Sequence, residues 1–272
     1  MVNLTEAVRL TKSYAAFFHS YLDPEGLHRW LISEKIVPKK SLLRFSQKLT
    51  PRQISDIQSR QETAQVKVEK AKRVVRFLSF FSTISLVAVT GSLAVGNARQ
   101  KDDIDLMVIT HSHTLWLTRL FVIPLLSLFF PRRHPATKTF LPDAVCLNLW
   151  LDESALAIPE NKRNLYTAHE VIQALPLLDR GGCYYHFLTT NHWSSHFLAN
   201  AFSQAIQKLT PPTTGSKSSL FTYLLIPINL LSFLFQYLYM KRRITQETIS
   251  LHAAFFHPRD LSPKLNQSLG IY

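Results

Sequence analysis

"TGSLAVGNARQKDDIDLMVIT", residues 90–110, decides how the chain is read. Gly91 and Gly96 stand five residues apart in a chain with only 7 glycines, and Asp102, Asp103 and Asp105 crowd together just ahead of an apolar run. The preceding "ISLVAVT" is β-branched and bounded by the glycine turn, so it reads as a strand, and "IDLMVIT" reads as a second. A strand alternates its side chains, so Asp103 and Asp105 project from one face while Ile104 and Leu106 enter the core. Carboxylates crowded in this way repel each other unless a cation sits between them. Oxygen ligands at that spacing suit Mg²⁺, which keeps waters and takes its remaining ligands from substrate phosphates. Gly91 lets the backbone approach a phosphate closely, and Ser92 supplies a hydroxyl and opens a short helical turn whose free N–H groups favour anions. Gly96-Asn97 is expected to close that turn as a left-handed cap.

Working outward, "SHTLWLTRLFVIPLLSLFF" is an apolar helix, "PRRHPATKTFLP" a basic loop and "AVCLNLWLD" a third strand, with "ESALAIP" as a short edge. Upstream, residues 61–81 form a helix rich in Lys and Arg, while "TPRQISDIQSRQ" lacks the alternation of a β wing. Residues 4–20 have helical spacing, Asp23-Pro24 caps a second helix running to Ile32, and Pro38 opens a third. Three short helices resemble a helix-turn-helix or winged-helix unit. The stripe Lys40, Arg44, Lys48 is then either a nucleic-acid contact or a solvated face. After Pro159 the texture becomes helical, over residues 162–175, 183–190 and 193–209, with a linker at 210–219. The expected organisation is α+β: a helical module over 1–52, a mixed-sheet core over 53–160 and a helical region over 161–272.

Charge is unevenly spread. Residues 1–80 carry 15 Lys/Arg against 7 Asp/Glu, residues 81–160 carry 6 against 7, and residues 161–272 carry 10 against 4. Basic flanks around an acidic centre suit a metal site whose surroundings attract a nucleotide, RNA or an anionic membrane surface, and they equally serve solubility. Cys146 and Cys183 form neither a disulfide framework nor a metal clip, and no signal-peptide pattern opens the chain, so a cytoplasmic setting is expected.

Residues 218–240 hold no charge and precede "KRR", as a membrane span would. Thr222, Asn229, Gln236 and Arg243 recur every seven residues, however, with Ser232 among them. That stripe favours an amphipathic helix, its polar face towards solvent or a polar groove, packed on the protein or in peripheral contact with a membrane through 219–243.

Gly91-Ser92, ten intervening residues and then Asp103-Ile104-Asp105-Leu106, set between two strands, resemble the signature of the DNA polymerase β-like nucleotidyltransferase superfamily, in particular its minimal members. The resemblance covers residues 82–151. It implies a palm-like mixed sheet, two Mg²⁺ ions, and transfer of a nucleoside monophosphate from an NTP such as ATP to a hydroxyl acceptor, which is a protein, an RNA or a small molecule. It further implies that Gly91 and Ser92 hold the triphosphate while Asp103 and Asp105 bind the metals.

The superfamily places a third carboxylate on a neighbouring strand. Here the polar residue in mid-strand is Asn148, which cannot act as a base, and Asp143 and Asp152 lie at the two ends of that strand. Alternation puts Cys146, Asn148 and Trp150 on one face, towards the aspartates. Two readings follow: an active enzyme, or a weakened or inactive nucleotide- or RNA-binding member of the same fold. Asp102 is read as a solvated turn residue or a metal auxiliary. His111 and His113 are read as loop residues without a carboxylate to complete a zinc set, and His169-Glu170 as ordinary helix surface.

Overall fold

The computed structural model describes residues 3–45, 48–133, 141–212, 224–242, 244, 247–256 and 261–270. Thr222 and Arg243, and most of the 210–219 linker, lie outside the described residues.

The chain is α+β. Strands β1 (Ile84–Val89), β2 (Ile104–Thr110), β3 (Val145–Asp152), β4 (Leu175–Asp179), β5 (Thr248–Ile249) and β6 (Ala253–Phe255) form one open sheet in the order β4-β1-β2-β3-β6-β5. β2 and β3 run parallel and the other neighbours antiparallel, so the sheet is mixed. The central strands are buried on both faces, and alternate residues enter two cores. Leu86, Ala88, Met107 and Ile109 meet helices α1 (Leu4–Phe17), α6 (Leu165–Gln173), α7 (Cys183–Thr190) and α8 (Ala199–Gln207). Val87, Val89, Leu106 and Val108 meet α3 (Pro51–Leu78) and α5 (Leu115–Phe129) on the other face.

Several elements depart from the sequence expectation for local reasons. Helix α3 starts at Pro51, because Thr50 and Gln53 form a reciprocal capping box, worth about 1 kcal/mol. The stretch without strand alternation is therefore the first turns of a 28-residue helix. After α2 (Pro24–Arg29), capped by Asp23, the third helix of the supposed helix-turn-helix is a 3₁₀ segment, Lys39–Phe45. β4 is an edge strand hidden in sequence by its proline: Pro176 pairs with Ala88 at the sheet margin, where a missing N–H is tolerated. No strand forms over "ESALAIP", where Ile158 instead donates its backbone N–H to Asn191.

In helix α9 (Ile226–Lys241) the polar stripe meets a polar groove of the protein, not solvent. Its polar residues Asn229, Ser232 and Gln236 are buried and its leucines face outward. Asn229 Oδ1 accepts the backbone N–H groups of Trp116 and Leu117 at 2.9 and 3.0 Å. These are first-turn donors of α5, which its own Thr114 does not cap, since that hydroxyl bonds His111 O. A free helix end thus draws the polar stripe inward.

Candidate functional site

The residues after β1 turn sharply. Gly91 has φ +65°, a left-handed conformation, and starts the single turn α4 (Gly91–Ala94), which Gly96 closes with φ +71°. A Cβ built on Gly91 lies 3.1 Å from Asp105 Oδ2, so a side chain here would press on the β2 carboxylate as well as strain the backbone. Ser92 Oγ donates to Asp102 Oδ2 at 3.1 Å, and the same oxygen accepts the Arg99 N–H at 2.9 Å. Asp102 thereby orients the serine and ties down the turn.

One donor atom from each of Asp103, Asp105 and Cys146 lies within 4.8 Å of the other two. Cys146 is the register partner of Asp105 on β3, which explains its place in the group. Arg133 Nη1 holds Asp103 Oδ2 at 2.6 Å, so a fixed guanidinium lies beside the acidic pair. Asn148 also faces the pair and donates from Nδ2 to Asp105 Oδ1 at 3.0 Å. Trp150 does not share this face. Register slips between Leu106 and Met107, which pair with Leu147 and Leu149, so Asn148 bulges and Trp150 turns into the opposite core.

The electrostatics are strained. Burial first, then the charges of Asp103 and Glu170, push the Asp105 carboxyl up to about 7, against the Cys146 thiol and Arg133, which pull it down. Burial likewise drives the Cys146 thiol well above its ordinary value, with Asp105 and Asp103 adding to the effect. Asn148 Oδ1 and Thr90 Oγ1 are buried with no hydrogen-bond partner. Two unanswered oxygen acceptors beside a carboxylate pair are a hard donor set, and they fit Mg²⁺ better than the single thiol fits a soft metal.

Glu170 is the residue that sequence reasoning placed wrongly. It sits on α6, which packs against α4, and its charge reaches Asp105. Burial pushes its carboxyl up to about 7, against a hydrogen bond from Tyr166. Its neighbour His169 is 3% exposed and stacks on Tyr14 at 3.8 Å, so neither residue is ordinary surface. The available signal was the helical spacing of Leu165, Ala168, His169 and Ile172, which puts the histidine on the buried stripe.

Asp143 and Asp152, the two alternatives to Asn148, are both engaged elsewhere. Asp143 Oδ1 and Oδ2 pair with Lys67 and Lys70 at 2.7 and 2.5 Å. Burial would raise its carboxyl, but the two lysines outweigh this and hold it below the usual range. Asp152 lies at the far end of β3, opposite Thr110, about 17 Å along the strand from Asp105. It does meet His113 and His252, with donor atoms within 4.8 Å, so His113 has the carboxylate partner that its sequence surroundings lacked. Asp152 is already saturated, however, by the His113 and Ser154 backbone N–H groups, the Ser154 hydroxyl and His252 Nδ1. His111 stands apart and bonds Ser85 and Glu153.

No family model matches this chain, and no curated protein does.

Proposed function

We propose that the chain is a Mg²⁺-dependent nucleotidyltransferase with a palm-like core. In this reading Asp103 and Asp105 hold the cations, with Asn148 Oδ1 as a further oxygen ligand, and the Gly91-Ser92 turn receives the triphosphate of an NTP. The observation that supports it is the approach of Gly91 to Asp105 Oδ2, where a Cβ would stand 3.1 Å away, because it brings the glycine turn and the β2 carboxylate to one spot. Asp103 and Asp105 would hold a divalent cation that, when bound, would neutralise phosphate charge as the acceptor hydroxyl bonds the α-phosphorus and the α–β phosphoanhydride bond breaks to release pyrophosphate. Arg133 holds Asp103 in place and adds positive charge for the donor. Glu170, a carboxylate from outside the sheet, is the group on hand to accept the acceptor's proton, a task Asn148 cannot perform.

Equilibrium dialysis with labelled NTP and Mg²⁺ tests the site. Asp103→Asn and Asp105→Asn should each abolish Mg²⁺-dependent binding while melting as cooperatively as the parent, and retained binding in both would place the nucleotide elsewhere.

A second reading, nucleotide binding without transfer, is favoured by one feature: Asn148 stands beside Asp105 where the superfamily carries a carboxylate. Pyrophosphate release separates the two. On the enzymatic reading Glu170→Gln keeps NTP binding and slows release about 10²-fold or more. Equal release from parent and variant, at the level of the Asp105→Asn protein, selects the binding-only reading.

A further inference from the structure

The helix pair α5 and α9 presents its apolar side to the outside. Leu231, Phe235 and Leu238 on α9 are each 67% exposed, and α5 extends the surface with Phe121, Leu128 and Phe129. Scattered surface hydrophobes need no explanation, but six large apolar side chains exposed on two helices that pack together mark a docking surface. The face cannot rotate inward. Asn229 holds the α5 N–H groups, and Gln236 donates to Trp116 O at 2.8 Å and accepts from Arg119 at 2.6 Å. Turning these residues to solvent would orphan buried backbone groups.

The surroundings identify the occupant. Residues 115–133 and 224–242 contain no Asp or Glu. Asn229 and Gln236 both bond the Trp116 backbone, and Gln236 also accepts from Arg119, so α9 packs across the first turn of α5. Tyr239 is exposed near the C-terminal end of α9, where the exposed Lys241 and Arg242 lie, and Arg132 follows the end of α5. An apolar face with aromatic and basic residues at one end matches the acyl–headgroup boundary of an anionic bilayer. A second copy of the chain would bring two such faces together with no countercharge on either. Helix α9 has 16 residues, about 24 Å, and no described helix is long and apolar enough to cross a membrane.

We propose that α5 and α9 together dock this protein onto an anionic lipid surface, the leucine and phenylalanine face entering the acyl boundary and Arg132, Lys241 and Arg242 meeting the headgroups. This holds whether or not the carboxylate crevice transfers nucleotides.

Vesicle flotation tests it, using phosphatidylcholine alone and with about three in ten lipids replaced by phosphatidylglycerol. The parent should float with the anionic vesicles. Replacing Leu231, Phe235 and Leu238 together by Gln should reduce binding at least about tenfold, with an unchanged melting temperature because all three are exposed. Lys241→Gln with Arg242→Gln leaves the apolar face intact and should weaken binding about tenfold to anionic vesicles only. Failure of the parent to float overturns the proposal, as does flotation of either variant with anionic vesicles at the level of the parent. A stable parent dimer that the triple Gln variant converts to monomers assigns the face to a second copy and also overturns it.

Discussion

At one end of the paired strands β2 and β3, Asp152 is fully buried and meets a donor at each oxygen: His113 and His252 at Oδ2, and Ser154 through both N–H and hydroxyl at Oδ1. At the other end Asp105 meets an amide, a thiol and a second carboxylate, with unanswered acceptors at Asn148 Oδ1 and Thr90 Oγ1 beside it. Both clusters bring three metal-ligating residue types together, so ligand spacing alone does not tell them apart. Satisfaction does. A buried carboxylate with its lone pairs answered anchors a loop, here His113, whose φ of +61° the Asp152 bond holds in place. One left in mutual repulsion stores free energy that a cation can release.

The sharpest way to break this contrast is to remove each carboxylate in turn. Asp152→Ala should destabilise the protein by about 3–5 kcal/mol in urea unfolding, since it orphans buried donors that the carboxylate now pairs. Asp105→Asn should leave the metal-free protein as stable as the parent or more so. Comparable losses from the two changes would show that both ends are structural.

Gly91→Ala probes the crevice from the opposite side. Its φ of +65° strains any side chain, and the new Cβ must displace Asp105 Oδ2, so a loss of about 1–2 kcal/mol is expected. Stabilisation by Mg²⁺ with NTP, read as a thermal shift, should fall with it. A variant that loses neither would mean that the close approach is incidental.

The pH dependence of the metal-free protein tests the repulsion directly. Asp105 and Glu170 are both raised to about 7, so the folded state binds protons that the unfolded chain releases near pH 4. Stability therefore falls as pH rises from about 4 to 7, whereas the lowered carboxyl of Asp143 acts only at more acid pH. Combining Asp105→Asn with Glu170→Gln should flatten the slope, and Mg²⁺ should oppose it in the parent alone. A parent slope rising with pH would contradict the repulsion on which the contrast rests.

What the sequence determined by itself was local. Two glycines, a period-2 strand and an aspartate pair specify a tight turn facing carboxylates, because backbone sterics and side-chain alternation act over a few residues. The mixed α+β class followed from the same periodicities, and the polar stripe of α9 was visible at seven-residue spacing. Tertiary structure alone decided where those features point. Glu170 reaches the crevice only because α6 packs on α4, and Asp152 gains His252 across the sheet from a distant segment. The bulge at Asn148, which sends Trp150 to the other core, depends on how β3 registers against β2. The direction of the α9 stripe depends on free N–H groups more than a hundred residues away, at Trp116 and Leu117. A periodic pattern fixes the angle between the faces of a helix, but the unsatisfied groups of its neighbour fix which face turns inward.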